Sequence, residues 1–176
     1  LPHWLVGDLD SIHPEEREEM VRAGVQVRRY PPEKDDTDLE LAIRLALEAD
    51  CTRLRLIGAL GGRVDHLLGN LYLLLDPALE RVDIRLDDGL DEAFVIRGEA
   101  RVEGQPGDLV SLLPLLGEAT GVETDGLYYP LRSETLYPYR TRGISNVMQA
   151  NLASVRLQSG VLLCIHRRVQ GMENLP

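Results

Sequence analysis

The side chains with the most chemistry to offer in this sequence are aspartates in short loops. Gly7-Asp8-Leu9-Asp10-Ser11 follows the apolar triplet Trp4-Leu5-Val6. In extended backbone, residues two apart point to the same side, so Asp8 and Asp10 offer two carboxylates to one point. Like charges that close repel unless a cation lies between them. Magnesium suits such a place, because it takes oxygen ligands and needs only one or two carboxylates besides phosphate oxygens and water. A second segment is Lys34-Asp35-Asp36-Thr37-Asp38. Asp38 falls in the first turn of an expected helix, where the dipole favours a negative charge and free N–H groups can take a phosphate oxygen. Lys34 pairs either with a phosphate or simply with Asp35 or Asp36. The third segment is Gly58-Ala59-Leu60-Gly61-Gly62-Arg63-Val64-Asp65-His66, with Asn70 one turn on. Gly61 and Gly62 allow close approach of a ligand to the backbone. Arg63 can fork onto a phosphate. His66 and Asn70, four apart, share a helix face. This is neither a dinucleotide fingerprint nor a Walker loop, since Arg63 stands where a third glycine is required and no Gly-Lys-Ser/Thr follows.

Each segment has a purely structural alternative: a solvated turn at 7–11, a capped helix at 37, and Asp65 as a cap beside a surface His66. The elements around them decide how much they mean together. Trp4 to Val6 reads as a buried strand, Pro14 opens a charged helix that Gly24 closes, and Val25 to Val27 is a strand. Thr37-Asp38-Leu39-Glu40 is a capping box. The helix it opens runs to about Ala49, with Leu39, Ala42, Ile43 and Ala46 on one face. Leu54 to Ile57 is a third strand, and a helix follows from about Val64 to Leu75. Strands alternating with helices imply a parallel sheet, and ligands bind at the carboxyl ends of its strands. All three segments are therefore expected on one sheet edge.

From about Val82 short apolar runs alternate with turn residues: Ile84 to Leu86, Ala93 to Ile96, Leu109 to Leu113, Gly121 to Thr124, Ala153 to Leu157 and Val161 to Ile165. Gln158-Ser159-Gly160 reads as a hairpin turn between the last two. The expectation is an α/β domain over 1–81 and an all-β sandwich or barrel over 82–176.

The bulk numbers set limits. The 176 residues carry a net charge of −10, which opposes a nucleic-acid partner. ATP is compatible if carboxylates hold cations that meet its phosphates. Lys34 is the single lysine, in the most acidic stretch of the chain. No apolar run is long enough for a membrane span and no leader pattern opens the chain. Cys51 and Cys164 fit neither a disulfide framework nor a zinc set, so a reduced, cytoplasmic setting is expected.

Taken together, the motifs resemble those of the thiamine pyrophosphokinase family: Gly7 to Ser11, Lys34 to Asp38, and Gly61 to His66 with Asn70. In the second half the resemblance continues through Gly126-Leu127-x-Tyr129-Pro130-Leu131, Thr141-x-Gly143-Ile144-Ser145-Asn146 and Ser159-Gly160. It covers nearly the whole chain. The resemblance implies a Rossmann-like N-terminal α/β domain and a C-terminal β-sandwich. It also implies a homodimer with active sites between subunits, and conversion of ATP and thiamine to AMP and thiamine diphosphate. Asp8, Asp10 and Asp38 would hold magnesium, and these with Asp65 would be the catalytic acids. Ser11, Lys34, Thr37, Gly61, Gly62, Arg63, His66 and Asn70 would serve ATP and its phosphates. Ser145 and Asn146, from the partner subunit, would lie against thiamine. The family pattern also starts with a strand and an Asp-Gly-Gly-Ala turn; nothing before Gly7 matches it, so the parallel sheet is expected to lack its first strands. A pyrophosphokinase for another small alcohol, such as a pterin, and a non-catalytic nucleotide or magnesium sensor are the alternatives.

Overall fold

A computed structural model of the chain describes residues 1–169. The chain divides into two compact units, Leu1–Thr52 and Arg53–Pro176.

The first unit is built from β1 (Trp4–Gly7), α1 (Pro14–Arg22), β2 (Gln26–Arg29) and α2 (Asp38–Glu48). β1 and β2 pair in parallel, with Trp4 opposite Gln26 and Gly7 opposite Arg29. α1 opens with Pro14, carries Glu15 and Glu16 in its first turn and Arg22 in its last, and so complements its dipole at both ends. The capping box at α2 forms as expected: Thr37 Oγ1 accepts the Glu40 N–H at 3.3 Å. Of the face expected to be apolar, Ile43 is buried, while Leu39, Ala42 and Ala46 are half-buried. The deeper positions are Leu41 and Leu45, one turn apart and bulkier than the alanines.

The second unit opens with β3 (Arg53–Ile57) and α3 (Val64–Leu73), followed by a 3-10 turn at Pro77–Leu79. Among the described residues nine strands follow: β4 (Asp83–Asp87), β5 (Asp91–Ile96), β6 (Glu99–Glu103), β7 (Leu109–Pro114), β8 (Ala119–Asp125), β9 (Glu134–Leu136), β10 (Asn146–Val147), β11 (Leu152–Arg156) and β12 (Leu162–Arg167). They form a six-stranded mixed sheet, β10-β7-β12-β5-β4-β3, and a four-stranded antiparallel sheet, β6-β11-β8-β9. Both sheets feed one core cluster that includes Phe94, Val102, Leu112, Val122, Leu136, Val155 and Leu162. Alternation of buried and half-buried residues along β7 fits a sheet with one face in that core.

Two expectations are corrected. The strands before residue 82 do not form one parallel sheet. β1 and β2 make a sheet of their own, whereas β3 pairs in parallel with β4, whose other edge pairs antiparallel with β5. The strand–helix alternation records parallel neighbours and is silent on which sheet each pair joins. Nor is Gln158-Ser159-Gly160 a hairpin turn, because β11 pairs with β6 and β8 while β12 pairs with β5 and β7. The segment crosses between sheets and is held by Thr120: its N–H donates to the Ser159 carbonyl at 3.0 Å, and its hydroxyl meets Ser159 Oγ at 2.7 Å. Gly160 has φ 95, and a Cβ there would lie 2.5 Å from the Glu118 carbonyl oxygen, so both the left-handed backbone and the close packing require glycine.

Candidate functional site

Three charged side chains of the first unit meet beyond the end of β1. The Lys34 ammonium lies 2.9 Å from Asp38 Oδ1 and 3.5 Å from Asp8 Oδ2. Lys34 is 14% exposed, Asp8 20% and Asp38 49%, so the ion cluster opens to solvent on the Asp38 side. The partners of Lys34 are thus Asp8 and Asp38, in place of Asp35 or Asp36. Asp36 is engaged by Arg44, which spans Asp36 and Glu40.

The backbone explains the convergence. Gly7 has φ 138, and a Cβ there would stand 2.7 Å from Asp38 Oδ2. The Asp38 carboxylate therefore rests on the face of Gly7, a role that the sequence hinted at only through the glycine's place in its motif. Leu9 sits at φ 64, turning the chain between the two aspartates. Asp8 Oδ1 accepts the Asp10 N–H at 3.2 Å, and Asp10 Oδ1 accepts from Ser11 Oγ at 2.9 Å. The Asp10 N–H, then the Lys34 charge, hold the Asp8 carboxyl below its ordinary pKa against the opposing effect of burial. The hydrogen bond to Asp38 raises Lys34. Asp8 and Asp38 thus face one cation position with oxygen donors alone, which suits magnesium better than a softer metal. Asp10 lies beside them, bonded to its own turn. Among the described residues no three His, Cys, Asp or Glu side chains converge as a metal-binding group.

In the second unit, the loop after β3 carries Gly61 and Gly62 at φ 97 and 71, with open space where a Cβ would stand. Arg63 precedes α3 and folds onto Asp65, with Nε 3.1 Å from Oδ1 and Nη2 2.6 Å from Oδ2. Asp65 Oδ1 also accepts the His66 N–H at 3.0 Å. The Arg63 hydrogen bonds lower the Asp65 pKa. His66 is exposed at the surface of α3. Asn70 donates to the Ala59 carbonyl at 2.9 Å and so pins the glycine loop to the helix.

Further along this unit, Ser145 takes φ 55 and its N–H donates to Ser111 Oγ at 3.0 Å. Asn146 is buried. Its amide is spent on the backbone of Tyr129, a use that the motif alone did not reveal. A cavity of about 790 Å³ elsewhere in the unit contains none of the expected site residues; Arg85, Arg168, Asp83 and Glu92 pair across its wall.

Comparison with known proteins gives concordant matches. The family model for "Thiamin pyrophosphokinase, catalytic domain" matches residues 1–86, and that for "Thiamin pyrophosphokinase, vitamin B1 binding domain" matches residues 97–162. A thiamine pyrophosphokinase of Bacillus subtilis is 31% identical over 167 residues, covering 94% of this chain and 78% of that protein. The crystal structure of thiamine pyrophosphokinase from Bacillus subtilis superposes with a TM-score of 0.85 at 29% identity, over 95% of this chain and 79% of the other. A thiamin pyrophosphokinase family protein from Enterococcus faecalis gives 0.83 at 28% identity, over 96% and 80%.

Proposed function

The chain belongs to the thiamin pyrophosphokinase family, and from this premise we propose how its own residues divide the work. It is an enzyme that transfers pyrophosphate from ATP to thiamine, giving thiamine diphosphate and AMP. A pterin acceptor and a mere sensor are not favoured by relatives that are thiamine pyrophosphokinases.

In the reaction the thiamine hydroxyl oxygen bonds to the β-phosphorus, the bond from that phosphorus to the α–β bridging oxygen breaks, and AMP departs with that oxygen. The hydroxyl proton passes to a base. Such transfers need positioning and charge stabilisation more than covalent help. The reading rests on one observation: Asp8 and Asp38 face the same cation, the Lys34 ammonium. Asp8 and Asp38, with Asp10 beside them, would hold magnesium, which when bound neutralises charge on the β- and γ-oxygens. Lys34 then turns from the carboxylates to a phosphate oxygen. Ser11 and Thr37 supply hydroxyl groups at the same loops. Arg63 leaves Asp65 to fork onto a phosphate, which frees Asp65 for the acceptor's proton. Gly61 and Gly62 offer open backbone to the nucleotide, with His66 beside it, and Asn70 keeps the loop in shape. Ser145 faces thiamine.

Residues 1–81 form the nucleotide and magnesium domain, with the β1–β2 parallel pair and β3 as its Rossmann-like part. Residues 82–176 form a β-sandwich that binds thiamine and dimerises. The enzyme works as a cytoplasmic homodimer, its sites between subunits; among the described residues no helix is long and apolar enough to cross a membrane. Incubation with ATP, magnesium and thiamine should release AMP and thiamine diphosphate in equal amounts. Chelation of magnesium should stop both. AMP release that ignores thiamine, or turnover that survives chelation, would overturn the assignment.

A further inference from the structure

The sequence sets two carboxylates, Asp35 and Asp36, directly after Lys34, yet the ammonium lies between Asp8 and Asp38. What draws Asp36 away is Arg44, eight residues on and already within α2. Its guanidinium meets the carboxylate as a fork, Nη1 2.8 Å from Oδ2 and Nη2 3.2 Å from Oδ1. Nη2 also donates to Glu40 Oε1 at 2.6 Å, one turn back on the same helix. A planar fork fixes the direction of a carboxylate as well as answering its charge, which an ammonium does not do.

The place of this fork gives it a use. Asp36 stands two residues from Lys34 and two from Asp38, and it adjoins Thr37, the N-cap of α2. Freed from Arg44, its carboxylate competes for the one ammonium that Asp8 and Asp38 share. It also adds negative charge at a helix end whose first turn already carries Asp38 and Glu40, both opposed to an arriving phosphate. Arg44 answers two of those acids, Asp36 and Glu40, from the flank of the helix. Its worth therefore lies in what an anion meets at the cluster, since exposed ion pairs add little to folding stability.

We propose that Arg44 is a positioning residue for ATP: by holding Asp36 in a fork it keeps that carboxylate off Lys34, leaves the ammonium to Asp8 and Asp38, and spares the incoming phosphates a further negative charge. The inference rests on ATP and magnesium being taken at this cluster. Arg44 is 52% exposed on a middle turn of α2, so alanine there keeps the helix. KM values for ATP and thiamine are measured separately at saturating magnesium, with thermal melts alongside. Arg44→Ala should raise the ATP KM about fivefold and move the thiamine KM less than twofold. The ratio of variant to wild-type ATP KM should shrink between about 0.05 and about 0.5 M salt, because the effect is one of charge. Asp36→Asn alone should leave the ATP KM within twofold of wild type. In that background, adding Arg44→Ala should have almost no effect, because no charge is left to release. An equal loss with and without Asp36 would make Arg44 a direct phosphate contact and overturn the proposal. A lowered melting temperature with an unchanged ATP KM would assign Arg44 to the helix alone and overturn it too. Either result, with an active wild type, leaves the reading of the cluster standing; a wild-type protein that makes no thiamine diphosphate from ATP and thiamine removes both.

Discussion

The loop cluster beyond β1 and the strand edge around β10 hold polar groups in opposite ways. Around Lys34 the groups are charged, solvent reaches them on the Asp38 side, and both carboxylates share one ammonium. Around β10 the groups are buried and bonded mostly to backbone. Asn146 engages Tyr129, while Asp108 Oδ2 accepts the Gln105 N–H at 2.9 Å, its Oδ1 accepts the Val169 N–H at 2.9 Å, and His166 Nε2 lies 3.0 Å from Oδ2. An exposed ion pair contributes little to stability, so it can open for a ligand at small cost. Buried hydrogen bonds to backbone are expensive to break and keep one shape. The first region is arranged to exchange partners and the second to stay fixed. Loss of a carboxylate in the first should appear in turnover, and loss of one in the second should appear in stability.

The largest effect is expected at Asp38. Asp38→Asn removes the exposed half of the carboxylate pair and should reduce kcat by about 100- to 1000-fold, the range found when one preorganised electrostatic contact is lost. The denaturant midpoint should hardly move. A variant that unfolds readily yet turns over normally would reverse the comparison. Next comes Asp108→Asn, which sets an amide donor against either the Gln105 or the Val169 N–H and should cost roughly 2 kcal/mol at neutral pH. The pH dependence follows from the carboxyl's shift. Burial pushes its pKa up, but the Val169 N–H, His166 and the Gln105 N–H outweigh burial and hold it below the ordinary value. A depressed folded pKa contributes stability that is complete above the unfolded value, about 3.9, and is lost as pH falls through the folded one. The gap in unfolding free energy between wild type and Asp108→Asn should therefore be smaller at pH 3 than at pH 7. An equal gap at both would remove the charge from the explanation.

The same contrast governs what could be read in advance. Charged loops are local: Gly7, Asp8, Lys34 and Asp38 stand in short motifs, and helix capping at Thr37 follows from neighbours in sequence. That Asp8 and Asp38 gather at one cation is legible as chemistry; that Lys34 stands between them is not, because its sequence neighbours Asp35 and Asp36 are the expected partners. β-Pairing is not local. Nothing near Gln158 tells that the chain leaves one sheet for another, because the deciding partner, Thr120, is far away in sequence. Strands β6, β9 and β10 escaped notice for a related reason. β9 and β10 are short, and β6 shows Arg and Glu between its apolar residues, so the alternation had too few positions to register. Asn146 was placed at thiamine by motif, whereas its burial and its hold on Tyr129 depend on a register that only the folded sheet supplies.

Thr37 tests the boundary between the two behaviours, with the smallest effect. Its hydroxyl caps α2 through the Glu40 N–H, so Thr37→Ala should lower stability by about 1 kcal/mol. The residue also adjoins Asp38 at the opening of the cluster, where a phosphate oxygen is proposed to arrive. The same variant should then raise the ATP KM several-fold while leaving the thiamine KM near its wild-type value, and Thr37→Ser should restore both properties. Thermal melts and separate KM determinations check it. A fall in stability with an unchanged ATP KM would assign Thr37 to the cap alone. The exchangeable cluster would then begin at Asp38, with the helix end behind it belonging to the fixed part of the molecule.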